Sequence, residues 1–108
     1  MDIESLGILV VEESDALRAA IVEQLRTLGA TRVDAADGGA DALTRMQDRP
    51  FDVVLSGWNM KVMDGLALLR AIRADERLHN VAMIMVTGDV GQQQIEEAVA
   101  SGVSELLV

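Results

Sequence analysis

Acidic and hydroxyl side chains follow apolar runs that have the composition of buried strands. Glu12 and Glu13 follow the run at residues 6–11, and Thr87 ends the run at residues 81–87. Adjacent carboxylates are oxygen ligands of the kind that a hard cation such as Mg²⁺ prefers. The pair would also suit the solvated start of a helix, because acidic side chains favour the first helical turn. Its chemistry therefore depends on what the rest of the chain places beside it.

A third apolar run, at residues 52–56, ends in a hydroxyl residue that a glycine follows. Covalent catalysis needs a nucleophilic oxygen and a base to activate it, and Gly57 has no side chain. Successive strand side chains point to opposite faces, so we expect the Ser56 hydroxyl to face away from the end of the strand. The sequence therefore offers no catalytic nucleophile at this point.

Short apolar runs alternate with helical patterns along the whole chain. We predict strands at residues 6–11, 32–35, 52–56, 81–87 and 103–108, the second of them at an edge. Apolar residues three or four apart predict helices between the strands, with Asp37 and Asp64 as caps of the second and third helices. The residues expected to face inward are Leu17, Ile21, Leu25 and Leu28, then Ala40, Leu43 and Met46, then Leu68, Leu69 and Ile72, and finally Ile95 and Val99.

This alternation predicts an α/β domain. Strands that alternate with helices of this length form βαβ units with right-handed crossovers and a parallel sheet. In such sheets ligands bind beyond the carboxyl ends of the strands. Glu12, Glu13, Gly57 and Thr87 all fall at predicted carboxyl ends, so we expect one functional edge of the sheet.

The composition limits the partners. The chain has 108 residues, a formal net charge of -9 and no cysteine. A polyanion such as DNA would be repelled, since non-specific affinity for nucleic acid comes from basic residues that neutralise phosphates. No apolar segment approaches the roughly 20 residues that cross a membrane, and no signal peptide is visible. We expect residues 1–108 to form one cytoplasmic domain that binds neither nucleic acid nor a membrane.

The end of the sequence is unusual for such a fold. Residues 103–108 read as a strand, and a parallel strand needs helices over both faces. We expect a final helix to be absent from this chain, which would then be the N-terminal part of a longer protein. An uncovered apolar patch usually becomes an interface, so a homodimer is a further expectation.

Four segments resemble the receiver domain of two-component signalling, and especially chemotaxis receivers. Residues 8–18, with the acidic pair, resemble the opening of these domains, and residues 53–65 resemble their central motif. Residues 85–88 resemble the hydroxyl residue that ends the fourth strand, and residues 101–104 the approach to the fifth. The resemblance implies a doubly wound, flavodoxin-like parallel sheet of five strands in the order 2-1-3-4-5.

The resemblance also implies roles for particular residues. In receivers an acidic pair and a loop carbonyl hold Mg²⁺, an aspartate accepts a phosphoryl group from a histidine kinase, and a hydroxyl and a lysine contact that group. Gly57 stands where the aspartate should be, Lys61 replaces the usual proline, and Leu106 replaces the usual aromatic switch residue. The remaining correspondences are Glu12 and Glu13 for the acidic pair, Asn59 for the loop carbonyl and Thr87 for the switch hydroxyl.

These departures predict a degenerate receiver that is not an enzyme. We expect a phosphorylation-independent regulatory module that binds a signalling protein or an output domain. The alternative is an active receiver that accepts the phosphoryl group at a non-standard residue. No cofactor is expected to be required, and Mg²⁺ binding through Glu12, Glu13 and Asn59 is expected to be weak or absent. One hypothesis is that the Glu13 carboxylate occupies the space beside Gly57. Another is that the Lys61 ammonium acts as a countercharge for the acidic pair.

Overall fold

The computed structural model describes residues 2–88 and 91–107. A short 3₁₀ helix, Ile3–Ser5, precedes the sheet. The strands are β1 (Gly7–Val11), β2 (Arg32–Ala36), β3 (Val53–Gly57), β4 (Ala82–Val86) and β5 (Glu105–Leu107), and the helices are α1 (Asp15–Thr27), α2 (Gly39–Asp48), α3 (Gly65–Ala74) and α4 (Gln92–Ala100).

All five strands form one parallel sheet in the order β2-β1-β3-β4-β5. The predicted α/β class and the strand order 2-1-3-4-5 are therefore confirmed, and β2 lies at an edge as expected. Every residue of β1 is buried, which explains why this strand is uniformly apolar. The register places Gly57 opposite Val86, so β3 and β4 end at the same level.

Helices cover both faces of the sheet. Side chains from α2, α3 and α4 enter the larger apolar core with β1, β3 and β4, while α1 packs over β1 and β2 in a smaller cluster. The prediction that Leu17 and Leu28 face inward is wrong: these side chains are 50% and 68% exposed. In the described residues α1 is the one α-helix on its face, so nothing closes over its outer edge. The expectation that Ala40 and Val99 face inward is also wrong: both are exposed, whereas Ala98, the neighbour of Val99, is buried.

Two of the helix starts have side-chain caps. Ser14 caps α1 by accepting from the Leu17 N–H, and Asp64 caps α3 by accepting from the Ala67 N–H at 2.8 Å. The cap predicted at Asp37 is wrong, because α2 begins after Gly38 and that position makes no side-chain capping bond. Asp37 thus lies one residue outside the cap position.

Contacts of α3 fix the end of β3 and the loop before β5. A Cβ on Gly65 would lie 2.5 Å from the Gly57 carbonyl oxygen, so α3 starts in direct contact with the end of β3. At the other end of α3, the Arg73 guanidinium donates to the carbonyl oxygens of Val81 (2.6 Å) and Gly102 (2.9 Å). Burial lowers the pKa of Arg73.

Among the described residues, no helix is long and apolar enough to span a membrane.

Candidate functional site

The carboxyl ends of β1, β3 and β4 bring the predicted site residues to one edge of the sheet. Glu12 and Glu13 follow β1 directly, Gly57 ends β3 and Thr87 follows β4. A cleft of about 470 Å³ opens at this edge, with Glu12, Gly57, Asn59 and Thr87 among its lining residues. Glu13 lines a neighbouring groove instead, so the two glutamates point into different spaces.

The space beside Gly57 contains the carboxylate of Glu12. A Cβ placed on Gly57 would lie 2.9 Å from Glu12 Oε1, and, its chain neighbours aside, no other described residue would come within 4 Å of it. The hypothesis that Glu13 fills this space is wrong. Glu12 occupies this space instead, because the two side chains point in different directions and Glu13 is bonded elsewhere. A carboxylate therefore lies where position 57 itself provides none.

Glu13 reaches across to the loop that follows β3. Its Oε2 accepts the backbone N–H of Lys61 at 2.7 Å. The Lys61 ammonium, in contrast, makes no ion pair with Glu12 or Glu13 among the described residues. The contact at position 61 is thus a main-chain hydrogen bond, and the proposed countercharge is not formed.

The turn that carries both glutamates is tied to the start of α1. The Ser14 N–H donates to Glu12 Oε2 at 2.8 Å. The Arg18 guanidinium donates to the carbonyl oxygens of Glu12 (2.9 Å) and Glu13 (3.4 Å) and pairs with Asp15. Sequence reasoning assigned no role to Arg18. Its position in the first turn of the helix that follows the acidic pair was the available signal, since a basic residue there can reach back to the preceding carbonyls.

The two hydroxyl residues of the site are both buried. Ser56 is 1% exposed and its hydroxyl donates to the Gly57 carbonyl oxygen at 2.9 Å. Thr87 is 4% exposed, and its Oγ1 has no hydrogen-bond partner among the described residues. An unsatisfied buried hydroxyl costs about 1–3 kcal/mol. Within residues 2–88 and 91–107, Thr87 is thus the buried side chain at this edge whose polar atom has no partner.

Trp58 and Met60, which follow β3, contribute to packing. Both side chains are buried in the larger apolar core, and the Trp58 N–H donates to the Val86 carbonyl oxygen at 3.0 Å. Asn59 between them is exposed. Leu106 in β5 is half-buried and packs against the same core. Leu106, which stands at the position of the aromatic switch residue of receivers, therefore contributes an aliphatic side chain to core packing.

The acidic pair fits a divalent cation poorly. In the part of the chain that the structure describes, no three Asp, Glu, His or Cys side chains lie together as a metal site would require. Glu12 and Glu13 each already accept a backbone N–H, and position 57 offers no third carboxylate. A hard cation such as Mg²⁺ demands near-octahedral oxygens at about 2.0–2.1 Å, so these residues would have to rearrange to hold one.

The order of the sheet and the acidic edge define a class of protein: a doubly wound α/β domain of the signalling-receiver type. Residues 8–108 match the response regulator receiver domain family. The chain is 42% identical over 103 residues to the chemotaxis protein CheY of Pseudomonas aeruginosa, covering 95% of this chain and 83% of that protein. The chain belongs to the response regulator receiver domain family.

Solved structures agree with this assignment. The CheY4 chemotaxis protein of Vibrio cholerae superposes with a TM-score of 0.86 at 30% identity, covering 94% of this chain and 83% of that one. The receiver domain of the histidine kinase CKI1 of Arabidopsis thaliana, in complex with Mg²⁺ and BeF₃⁻, superposes with a TM-score of 0.79 at 26% identity, covering 94% and 78%. The expected resemblance to chemotaxis receivers is confirmed.

Proposed function

We propose that this receiver domain is a regulatory protein-interaction module of two-component signal transduction that works without phosphorylation at position 57. It binds a signalling protein or an output domain, it is not an enzyme, and it requires no cofactor. Cytoplasmic location and the absence of nucleic-acid binding stay predictions from the sequence.

The observation that carries the proposal is the Gly57–Glu12 contact. Phosphoryl transfer to an aspartate needs an oxygen nucleophile at the end of β3. Gly57 supplies none, and the oxygen that lies beside it, Glu12 Oε1, belongs to a carboxylate whose other oxygen accepts the Ser14 N–H. The Ser56 hydroxyl is buried and already bonded. The carboxylate of Glu12 and the hydroxyl of Ser56 are therefore poorly placed for attack.

Intact-mass measurement tests the proposal. The chain is incubated with a small acyl-phosphate donor and Mg²⁺, and a receiver with aspartate at the corresponding position serves as the positive control. We expect the control to gain one phosphoryl group and this chain to gain none. A stable addition mapped to Glu12, Ser56 or Thr87 would instead support the alternative, an active receiver with a non-standard acceptor.

Self-association is a second interaction that we propose, and exposed apolar residues support it. Apolar residues of α1, β4 and β5 line the same cleft as Glu12, and three of them, Leu17, Val86 and Leu107, are 50%, 42% and 48% exposed. Burying such surface is favourable at about 25 cal/mol per Å². We therefore propose a homodimer of this chain through that cleft.

A further inference from the structure

We propose that Glu13 is a latch: its carboxylate holds the loop between β3 and α3 against the turn between β1 and α1. The two partners are 48 positions apart in sequence and are joined at 2.7 Å. The latch goes beyond the proposed function, because it concerns how the loop is held and stands whether or not the domain is phosphorylated.

The bond is the sole hydrogen bond of its loop within residues 2–88 and 91–107. Residues 59–63 make one hydrogen bond to that part of the molecule, from the Lys61 N–H to Glu13 Oε2. The loop is anchored at its ends by the Trp58 N–H, which donates to Val86, and by the Asp64 cap of α3. Between those anchors the polar restraint is Glu13.

The opposite end of the latch is also fixed. Arg18 donates to the carbonyl oxygens of Glu12 and Glu13, so α1 holds the turn from which the Glu13 side chain extends. A hydrogen bond to an ionised acceptor is shorter and stronger than one between neutral groups. The 2.7 Å distance is within the range expected for such a bond.

The donor exists because position 61 is not proline. Proline has no backbone N–H, so only another residue at this position can donate to Glu13. The longer side chain of glutamate gives the carboxylate the reach of one more methylene than aspartate would have. Lys61 and Glu13 are thus complementary, with the main chain of one bonded to the side chain of the other.

A double-mutant cycle in the full chain tests the latch. Lys61→Pro removes the donor, Lys61→Ala keeps it, and both are made in the native and the Glu13→Ala backgrounds. We expect Lys61→Pro to lower Tm by about 4 °C more in the native background than in Glu13→Ala, as losing one bond would. Lys61→Ala should lower Tm by the same amount in both backgrounds. Equal costs of Lys61→Pro in the two backgrounds would overturn the proposal, because proline would then act through backbone strain alone.

Hydrogen exchange at the Lys61 amide gives a second readout that needs no proline. We expect exchange to be about five-fold faster in Glu13→Ala than in the native chain, with Glu13→Gln in between because its amide oxygen still accepts. Unchanged exchange in Glu13→Ala would overturn the latch.

Discussion

At the residue scale, the main feature of the site is that two adjacent glutamates make different contacts. Glu12 places Oε1 beside Gly57, and Glu13 places Oε2 on the Lys61 N–H. The residue types and their common edge could be predicted, because the carboxyl ends of parallel strands meet. Which glutamate turned towards Gly57 could not, since that depends on side-chain rotamers and on which backbone donors lie within reach.

Introducing at position 57 the aspartate that receivers carry there should test this arrangement of the two glutamates. Gly57→Asp brings a third carboxylate against Glu12, and we expect it to lower the free energy of unfolding by about 1–3 kcal/mol. Gly57→Asn has nearly the same shape without the charge and should cost less. Urea denaturation measures both. We further expect Gly57→Asp to be phosphorylated poorly by a small donor; equal stability of the two variants together with ready phosphorylation would contradict the account.

At the scale of the elements, the contact of α3 with the end of β3 depends on a glycine. A Cβ on Gly65 would meet the Gly57 carbonyl at 2.5 Å and Trp58 Cα at 3.0 Å, both backbone atoms that cannot move aside cheaply. We expect Gly65→Ala to cost about 3 kcal/mol in urea denaturation. Gly88→Ala is the matched control and should be near neutral, because no described residue other than its chain neighbour lies within 4 Å of the added atom. Similar urea midpoints for the two variants would show that α3 can shift to make room for the added atom, and would contradict this prediction.

The Arg73 clamp makes a second prediction at this scale. Arg73→Ala leaves the Val81 and Gly102 carbonyl oxygens without their donor, and we expect a loss of about 2–3 kcal/mol. Arg70→Ala, on the same helix, removes an exposed pair with Glu97 and should cost less than about 1 kcal/mol. Thermal unfolding of both variants compares them. A larger loss for Arg70→Ala would refute the clamp.

The strands were the most predictable elements, and the reason is physical. A strand buried on both faces must be apolar throughout, so β1 is visible in the sequence. The buried part of α1 could not be predicted in the same way. The amphipathic spacing of Leu17 and Leu28 shows which side of the helix is apolar, but not whether anything covers that side. Asp37 failed as a cap for a related reason: a one-residue shift in the start of α2 is invisible in the pattern.

For the whole molecule, the apolar cleft and the net charge of -9 act in opposite directions. Burial of the cleft favours a homodimer, while like charges oppose it and salt screens them. We expect light scattering to show a dimer that strengthens with ionic strength. Leu17→Lys, in the cleft, should give a monomer, whereas Val62→Lys, at a 98% exposed loop residue, should not. A monomer at every salt concentration would contradict the dimer.

The most direct measurement of the central claim is an amide NMR spectrum of the native chain before and after adding a small acyl-phosphate donor with Mg²⁺. If the domain works without phosphorylation, the resonances of Trp58, Thr87 and Leu106 should stay where they are. A new set of resonances at these residues that disappears as the donor is exhausted would show a phosphorylated state coupled to the switch positions, and would contradict the account.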